Sequence, residues 1–440
     1  MELPQAFLDA MKAQLGEEYP AFLACYEEPA RKGLRFNPLK CKKETLAACL
    51  PFPWEPTPFS PLASYSPGDF KPGPLPAHHA GMCYAQEPSA AAAVTVLDPQ
   101  PGERVLDLCA APGGKSTQIA GLLGNSGLLW SNEIVRSRAG ALLSNLERMG
   151  ARNAVVSSCH PQALCEGLRG YFHRVLVDAP CSGEGMFRRD PEALAQWTPQ
   201  SPAACAQRQG AILDSAALAV GEGGVLVYST CTFSQEENEG TVRAFLQRHP
   251  EFALEPIAVP FGRPALGLPA LRIYPMDGGE GHFVAKFRRV GENPCRAGAF
   301  SPQIPKQERA LAQALYQELC PGPVPEGMAL VGGRVLLVPP ALPELSGLGV
   351  LRAGVELAEV RGKRLEPCHG FFMSRCPAEL RQSLDLSLQD PRLAAFLRGE
   401  EIDCDTKGYT AVCVAGVNTG FGKASSGRLK NRYPKGLRNL

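Results

Sequence analysis

The sequence predicts an α/β fold with a parallel sheet, a short N-terminal extension and a β-rich C-terminal region. Short apolar runs rich in Val and Leu alternate with helical segments, and they lie near residues 104–108, 128–132, 154–157, 174–178 and 224–229. Runs of this kind are typical of strands that are buried on both faces. Their alternation with helices indicates βαβ units. Beyond residue 291, the strand-like runs are short and separated by Gly and Pro.

The overall composition is that of a water-soluble globular protein. The chain has 440 residues, 45% hydrophobic and 20% charged, with a net charge of +1, and this length suggests two to three domains. No apolar run is long enough to span a bilayer, and the N-terminus lacks the pattern of a secretion signal. The sixteen cysteines include no Cys-x-x-Cys pair, which argues against structural zinc. We therefore expect a cytoplasmic, metal-free monomer.

The flanking regions have their own patterns. Residues 1–48 show helical periodicity, and the proline-rich residues 51–76 are expected to form an extended connector without regular helix or central strand. In the C-terminal region, residues 306–319 predict a helix. Short strands are predicted after it, at residues 334–338, 355–360 and 410–415.

Two cysteines stand where predicted strands end. Cys181 follows the strand at 174–178, and Cys231 follows the strand at 224–229. Ligands of open α/β sheets bind outside the carboxyl ends of the strands, so both thiols should open onto one crevice. A glycine-rich turn at residues 109–115 follows another strand and should reach the same edge. A cofactor turn and two thiols at one edge indicate covalent chemistry on a bound substrate.

These motifs resemble the Nop/Sun family of S-adenosylmethionine-dependent RNA cytosine-5 methyltransferases, and within it the bacterial RsmF type, which modifies ribosomal RNA. The resemblance extends to residues 33–39, 84–89, 279–285 and 427–436, and it is weakest between 295 and 350. It implies a Rossmann-like S-adenosylmethionine-dependent methyltransferase domain, an N-terminal RNA-contacting module and a C-terminal PUA-like RNA-binding region. We place these regions at residues 84–290, 1–83 and 300–440, respectively.

Two segments take a more specific meaning from this resemblance. Residues 283–289 resemble the antiparallel edge strand of such methyltransferases. Residues 354–364 resemble part of a PUA-like module.

The glycine-rich turn fits a methyltransferase better than a P-loop. A P-loop requires Gly five residues before its Gly-Lys pair, and Cys109 occupies that position. Small residues instead let the backbone approach the methionine part of the cofactor. The expected contacts from this turn are Cys109, Ala110, Ala111, Pro112, Gly113, Gly114 and Lys115. An ordinary surface lysine is the alternative for Lys115.

Further cofactor contacts are expected from the next strands. Glu133, twenty residues beyond Gly113, should accept hydrogen bonds from the ribose hydroxyls. The resemblance adds Arg138, Asp178 and the adenine-side position, where His160 stands in place of the usual aspartate. A structural loop histidine is the alternative for His160.

The two cysteines have separate roles in the resembled family. Carbon 5 of cytosine becomes nucleophilic when a thiolate adds at carbon 6, and the resemblance assigns this addition to Cys231 and assistance in release to Cys181. Asp178 would protonate or polarise cytosine N3. Residues 234–237 form a capping-box pattern, so a helix N-terminus near Cys231 should lower the pKa of its thiol. Three acids in and just after this stretch oppose that effect: Glu236, Glu237 and Glu239.

Two basic groups are candidates for RNA contacts. Arg188, Arg189 and Arg208 follow the Cys181 motif and would clamp phosphates, with a solvated helix face as the alternative. The last twenty residues hold basic residues near the aromatic residues Phe421 and Tyr433, which suits a flexible phosphate-binding tail. The basic residues of this tail are Lys423, Arg428, Lys430, Arg432, Lys435 and Arg438.

The predicted function is formation of 5-methylcytosine in ribosomal RNA with S-adenosylmethionine as the methyl donor. The same chemistry on tRNA is one alternative. A catalytically inactive RNA-binding ribosome-assembly factor is another, and the presence of Cys181, Cys231 and Asp178 argues against it. The expected partner is ribosomal RNA or a ribosomal subunit, with no membrane and no metal.

Overall fold

The computed structural model describes residues 3–340 and 342–439. Residues 1, 2, 341 and 440, which belong to the expected N-terminal and C-terminal regions, lie outside the described residues. Within these limits the α-helices are α1 Gln5–Leu15, α2 Tyr19–Ala24, α3 Lys43–Ala48, α4 Pro76–His79, α5 Ala92–Leu97, α6 Gly114–Leu123, α7 Arg136–Arg148, α8 Pro161–Gly167, α9 Pro191–Gln196, α10 Ser201–Ala219, α11 Thr241–Arg248, α12 Lys306–Leu319, α13 His369–Met373 and α14 Pro391–Arg398.

The strands form four sheets. They are β1 Lys32–Phe36, β2 Glu55–Pro56, β3 Ala63–Ser66, β4 Cys83–Ala85, β5 Arg104–Asp107, β6 Leu128–Asn132, β7 Ala154–Ser157, β8 Phe172–Asp178, β9 Val220–Thr230, β10 Phe252–Glu255, β11 Arg263–Ala265, β12 Leu268–Ile273, β13 His282–Arg289, β14 Met328–Val331, β15 Arg334–Leu337, β16 Val350–Ala353, β17 Val355–Arg361, β18 Arg364–Pro367, β19 Ser383–Leu386, β20 Ile402–Asp403, β21 Gly408–Val414, β22 Val417–Ser425 and β23 Arg428–Asn431.

The central sheet confirms the predicted α/β fold class. Its order is β11-β12-β13-β9-β8-β5-β6-β7-β16, and the five strands from β9 to β7 are parallel. Strand β5 is followed along the chain by β6 on one side, whereas β8 lies on its other side, so the strand order reverses between β5 and β8. Ligands of doubly wound sheets bind at such a reversal.

Both faces of this sheet are buried. On β8, Val175 and Val177 pack into one core with Leu213 of α10, while Leu176 packs into the opposite core with Ile119 of α6. Successive side chains of a strand point to opposite faces. The two covered faces therefore explain why the parallel strands are continuous apolar runs.

The N-terminal region contains more strand than its sequence predicted. Strand β1 interrupts the expected helical stretch, and β3 lies inside a four-stranded sheet of order β2-β3-β1-β4. The prediction that residues 51–76 contain no central strand is therefore wrong. The prolines at positions 61 and 67 flank β3 without entering it, and Pro56 lies on the edge strand β2, where a missing N–H is tolerated.

The late strand predicted at 283–289 is β13, but it is not an edge strand. It pairs with β9 on one side and with both β12 and β10 on the other. The edge prediction is wrong because the residues between β9 and β13 supply three further short strands. These additional strands cover the side of β13 that would otherwise be exposed.

The C-terminal region forms two sheets, in the orders β14-β15-β17-β18 and β19-β21-β22-β23-β20, while β16 joins the central sheet beside β7. The predicted helix 306–319 is confirmed as α12. The expectation of a flexible tail is wrong, because β22 and β23 continue to residue 431. Phe421 and Tyr433 are buried, and Tyr433 Oη lies 2.7 Å from His79 Nδ1 of α4. In the described part of the chain, no helix is long and apolar enough to cross a membrane.

Candidate active site

A cavity of about 670 Å³ opens at the carboxyl ends of the parallel strands. Its lining includes residues that follow each of the strands β5, β6, β8 and β9. These residues are Cys109, Glu133, Asp178, Cys181 and Cys231. The structure therefore brings the predicted catalytic residues to one cavity, which lies at the reversal of strand order. Of the predicted cofactor contacts, Ala111, Arg138 and His160 also line it, whereas Ala110, Pro112, Gly113, Gly114 and Lys115 are not part of its lining.

The two thiols touch each other. Cys181 Sγ lies 3.2 Å from Cys231 Sγ, and the Cys231 backbone N–H donates to Cys181 Sγ at 3.4 Å. The hydrogen bond to the Cys231 sulfur, together with burial, raises the pKa of the Cys181 thiol well above its ordinary value. Either sulfur can donate the hydrogen bond between them. The raised pKa favours the neutral thiol form of Cys181.

Asp178 is held by two partners at the end of β8. Lys115 Nζ donates to Asp178 Oδ2 at 2.7 Å, and Ser229 Oγ donates to Asp178 Oδ1 at 2.7 Å. The lysine is buried rather than an ordinary surface residue. Burial alone would lower the pKa of Lys115, but the Asp178 carboxylate outweighs it and the net pKa is raised. The site thus places a fixed cation beside its candidate acid.

The glycine-rich turn connects β5 to α6. Gly113 has a φ of 111°, a left-handed conformation that favours glycine. The Ala110 N–H donates to the Asn132 carbonyl at 2.8 Å, which ties this turn to the end of β6. Cys109 also lines the cavity, and burial raises the pKa of its thiol well above the ordinary value. The raised pKa favours the neutral thiol form of Cys109.

Glu133 and its neighbours form the other end of the cavity. The Glu133 residue is only 4% exposed, and its Oε1 accepts the Val135 N–H at 2.9 Å. Arg138 lies 3.5 Å from Glu133 Oε2 and donates to the Ala111 carbonyl at 3.0 Å. The side chains of Ile134 and Val135 are exposed beside this carboxylate, at 53% and 44% of their residue surface.

These residues fit S-adenosylmethionine. The volume lies within the range of cavities that hold small cofactors, about 300–1,000 Å³. Glu133 supplies a carboxylate for ribose hydroxyls, and the exposed apolar side chains of Ile134 and Val135 supply a surface for a flat base. Ala111 lines the cavity with a small side chain and leaves room beside the turn for the methionine part. The residues that would hold the cofactor are thus present on adjacent strand ends.

His160 has a structural task as well as a place in the cavity wall. Its Nδ1 accepts the Gln162 N–H at 3.3 Å, so it caps α8. It also lines the cavity beyond Glu133. A capping side chain at this position can still face the adenine side of a bound cofactor.

The capping pattern after Cys231 is only half formed. Ser234 Oγ accepts the Glu237 N–H at 3.4 Å, but the Glu237 carboxylate binds Ser182 instead of returning to Ser234. The chain forms one π-helical turn over Glu236–Gly240 before α11 begins. Glu239 is neutralised by a buried ion pair with Arg272 at 2.5 Å. Glu239 is therefore compensated by a cation, whereas Glu237 is hydrogen-bonded by neutral groups and contributes to the raised pKa of the Cys181 thiol.

The three arginines downstream of Cys181 do not share one role. Arg188 is buried, where it pairs with Glu280 at 3.3 Å and donates to the Pro29 carbonyl at 3.0 Å. The prediction that Arg188 clamps RNA phosphates is therefore wrong, because its charge is used inside the protein. Arg189 and Arg208 are exposed, and Arg208 lines the cavity beside the thiols.

Sequence reasoning missed several polar residues around the catalytic pair. Ser229 stands beside Asp178, while Ser182, Glu184 and Thr232 hydrogen-bond between the loops that carry the cysteines. Ser182 and Thr232 directly follow the two cysteines, so the sequence alone could have identified them as residues near the site. It could not have identified their hydrogen-bond partners on the opposite loop, because those depend on tertiary contacts. No group of three or more potential metal ligands occurs among the described residues.

Comparison with protein families gives four matches along the chain. A model described as 16S rRNA methyltransferase RsmB/F matches residues 94–288, and the N-terminal domain of 16S rRNA methyltransferase RsmF matches residues 3–88. The RsmF first C-terminal domain matches residues 313–374, and the RsmF PUA domain matches residues 383–439. The segment 354–364 thus belongs to the first C-terminal domain, and its assignment to a PUA-like module is wrong.

Similar proteins and structures agree with these matches. Ribosomal RNA small subunit methyltransferase F of Klebsiella pneumoniae is 33% identical, and that of Cronobacter sakazakii is 32% identical; the alignments cover 99% of this chain and 96% of each relative. A crystal structure of a methyltransferase homolog protein from Pyrococcus horikoshii has 28% identity and a TM-score of 0.56, covering 65% of this chain and all of the other. The structure of NSun6 from Pyrococcus horikoshii with SFG has 24% identity and a TM-score of 0.58, and it covers 66% of this chain and 99% of the other; at this identity it shows a shared fold.

The relatives are matched nearly from end to end, and the four family models follow the chain in order. The resemblance to the RsmF type is therefore confirmed. The chain belongs to the RsmF family of S-adenosylmethionine-dependent rRNA methyltransferases.

Proposed function

We propose that this protein methylates carbon 5 of cytosine in the ribosomal RNA of the small subunit through a covalent bond between Cys231 and carbon 6. The observation that carries the proposal is the 3.2 Å contact between the Cys181 and Cys231 sulfurs. The cavity that they line also holds the acid Asp178 and the ribose-binding candidate Glu133. The names of the relatives support ribosomal RNA as the substrate.

Addition is the first step. The Cys231 thiolate attacks carbon 6, and the electron pair displaced from the ring is neutralised when N3 takes a proton through Asp178. Asp178 is a carboxylate at rest, so this proton comes from the Lys115 ammonium group, whose Nζ donates to Asp178 Oδ2 at 2.7 Å. Carbon 5 is now nucleophilic.

Methyl transfer and release follow. Bound S-adenosylmethionine supplies an electrophilic methyl group to carbon 5. A base then removes the carbon-5 proton, the ring double bond re-forms, and the bond between carbon 6 and the Cys231 sulfur breaks. N3 returns its proton to Lys115 through Asp178. The Cys181 thiol retains its proton and touches the leaving sulfur. It therefore assists release by donating a hydrogen bond to the thiolate that forms.

RNA must present its cytosine unstacked, because the thiols lie inside a cavity. We assign RNA contacts around the cavity to residues 1–83 and 300–440, on either side of the catalytic region 84–290. Arg208 is exposed and lines the same cavity as the thiols, so we assign it to the phosphate backbone of the substrate. The family match to a PUA domain supports RNA binding by the C-terminal end.

Bisulfite sequencing tests the proposal. RNA from a strain that lacks the gene is compared with RNA from the same strain complemented with the wild-type gene or with Cys231→Ala. We expect one or more cytosines of 16S rRNA to lose methylation, and only the wild-type gene to restore it. Loss confined to tRNA would move the substrate to tRNA. Unchanged cytosine methylation with accumulated ribosomal precursors would favour the assembly-factor alternative.

A further inference from the structure

Two glutamate side chains link the loops that carry the thiols, because each glutamate accepts hydrogen bonds from the loop on which it does not lie. We call residues 179–185 the Cys181 loop and residues 231–237 the Cys231 loop. Glu184 of the Cys181 loop accepts the Thr232 hydroxyl at 2.9 Å and the Phe233 N–H at 3.0 Å. Glu237 of the Cys231 loop accepts the N–H of Ser182 at 3.0 Å and also its hydroxyl.

The hydroxyl residues that bind these carboxylates are the sequence neighbours of the two cysteines. Ser182 directly follows Cys181, Thr232 directly follows Cys231, and their hydroxyl oxygens lie 2.8 Å apart. One backbone bond joins the same loops, because the Gly185 N–H donates to the Cys231 carbonyl at 2.9 Å. The position of each sulfur is therefore tied to the opposite loop through its own neighbour in the chain.

Both carboxylates are buried, and each also accepts a hydrogen bond from a residue outside the two loops. Glu184 is 5% exposed and accepts the Trp197 indole N–H at 3.2 Å. Glu237 is fully buried and accepts the Gln209 amide at 2.8 Å. Burial raises the pKa of Glu184 to about 7 and also raises the pKa of Glu237. Burying such groups is costly unless every acceptor is used, and here the donors come from both loops.

We propose that Glu184 and Glu237 are positioning residues that hold the two thiols in contact, so that Cys181 reaches the sulfur that leaves the methylated base. This inference rests on the proposed function for its catalytic meaning. Its geometric part, the contact between the sulfurs, stands apart from catalysis. Small errors in the placement of reacting groups cost about 100-fold in rate, which gives such a network a clear effect on release.

The first test measures how closely the thiols approach each other, without RNA or cofactor. Diamide oxidises two neighbouring thiols to a disulfide and takes up their two hydrogens as it becomes a hydrazine. The rate of the Cys181–Cys231 disulfide is followed by mass spectrometry of peptides from the full-length protein. Because this rate requires both sulfurs to meet, it reports their juxtaposition directly.

The variant is Glu237→Gln, with Glu236→Gln as its matched control. A glutamine amide accepts through one atom only. With its NH₂ group towards Ser182 Oγ, that hydroxyl must turn from donor to acceptor, and its hydrogen bond to a carboxylate is lost. Glu236 is the preceding residue in the same turn, but it is exposed. We expect disulfide formation to slow about tenfold in Glu237→Gln, since a hydrogen bond to a charged group is lost. The control should stay within about twofold of wild type.

A disulfide rate of Glu237→Gln equal to wild type would overturn the inference. If this variant does not fold, as judged by its thermal unfolding, Ser182→Ala replaces it. That change removes one hydroxyl from the network and leaves the backbone bond in place. We expect the disulfide rate to fall about threefold in Ser182→Ala, and a wild-type rate there would overturn the inference as well.

The second readout is the protein–RNA adduct in the presence of S-adenosylmethionine. Glu237→Gln should accumulate a covalent adduct with methylated RNA, as expected of Cys181→Ala, because Cys181 no longer meets the leaving sulfur. A slow disulfide with no adduct from either variant would support the positioning role and overturn the covalent mechanism. A wild-type disulfide rate together with an adduct from Cys181→Ala alone would overturn the positioning role and leave the mechanism standing.

Discussion

Replacing Lys115 with methionine should slow methylation without unfolding the protein. Removal of one partner from a buried ion pair costs about 3–5 kcal/mol. The side chains of Lys115 and Asp178 are 10% and 29% exposed, and Asp178 keeps its bond from Ser229. Water can therefore reach the freed carboxylate, so we discount the cost to about 2–3 kcal/mol. If the same energy is lost in the addition step, where Lys115 supplies a proton to N3 through Asp178, the rate should fall about 30- to 150-fold.

Single-turnover methylation of substrate RNA at saturating S-adenosylmethionine measures this effect. Ser229→Ala is the control, since it removes a neutral hydrogen bond from the other oxygen of Asp178 and should slow the reaction only about fivefold. A wild-type rate for Lys115→Met would refute the role of the lysine beside the acid. A loss of cofactor affinity with an unchanged rate at saturation would move Lys115 to cofactor binding.

The same ion pair has a defined pH dependence. The pKa of Lys115 is raised above its usual 10.5 by Asp178 despite the opposing effect of burial. Its contribution to folding stability is therefore fully present below about pH 10.5 and is lost as the pH rises through the raised pKa. The stability difference between wild type and Lys115→Met, measured by urea unfolding, should be constant from pH 7 to 9 and shrink above pH 10.5. A difference that disappears by pH 9 would contradict this assignment.

Three further predictions concern other parts of the molecule. Glu133→Ala should weaken S-adenosylmethionine binding in calorimetry at least tenfold, because the ribose loses a charged acceptor; unchanged affinity would remove the ribose assignment. Glu379→Gln should destabilise the protein in urea unfolding at neutral pH but not near pH 2. Burial alone would raise the Glu379 pKa, but Arg152 outweighs it and lowers the pKa from 4.5 to about 2. The stability that the ionised carboxylate contributes is therefore lost as the pH falls through that value. Replacing three basic tail residues with Ala should flatten the salt dependence of RNA affinity by up to about one log–log unit per lost phosphate contact, and an unaltered slope would exclude phosphate contacts there. These tail residues are Lys430, Arg432 and Lys435.

The sequence was most informative where function follows from strand ends. Cys181 and Cys231 each follow an apolar run, and parallel strands place such positions at one edge of a sheet. That argument needs no knowledge of side-chain contacts. It therefore led to the cavity that Cys181, Cys231 and Asp178 line together.

The sequence was least informative where partners come from distant segments. Arg188 is of a residue type that commonly binds phosphates, but in the structure it pairs with Glu280 and donates to the Pro29 carbonyl. Glu237 fits a local capping box, but its carboxylate binds Ser182 across the site. Local patterns report which bonds a side chain can make, and tertiary packing decides which of them it makes.

The same limit applies to the edges of sheets and to the tail. Strand β13 carried the pattern of a late strand, but its sequence could not show that β10 and β12 would cover its free side. Tyr433 is an aromatic residue within a basic tail, and only the fold shows that it is buried near His79. The positions of these elements follow from long-range pairing rather than from local propensity.

The covalent adduct tests the central claim most directly. Cys181→Ala and Cys231→Ala are incubated with substrate RNA and S-adenosylmethionine, and denaturing gels with mass spectrometry detect protein bound to methylated RNA. We predict a retarded band for Cys181→Ala that depends on the cofactor and survives heating in detergent, and no band for Cys231→Ala. A band from Cys231→Ala alone would reverse the two roles. Wild-type turnover and no band from either variant would contradict covalent catalysis.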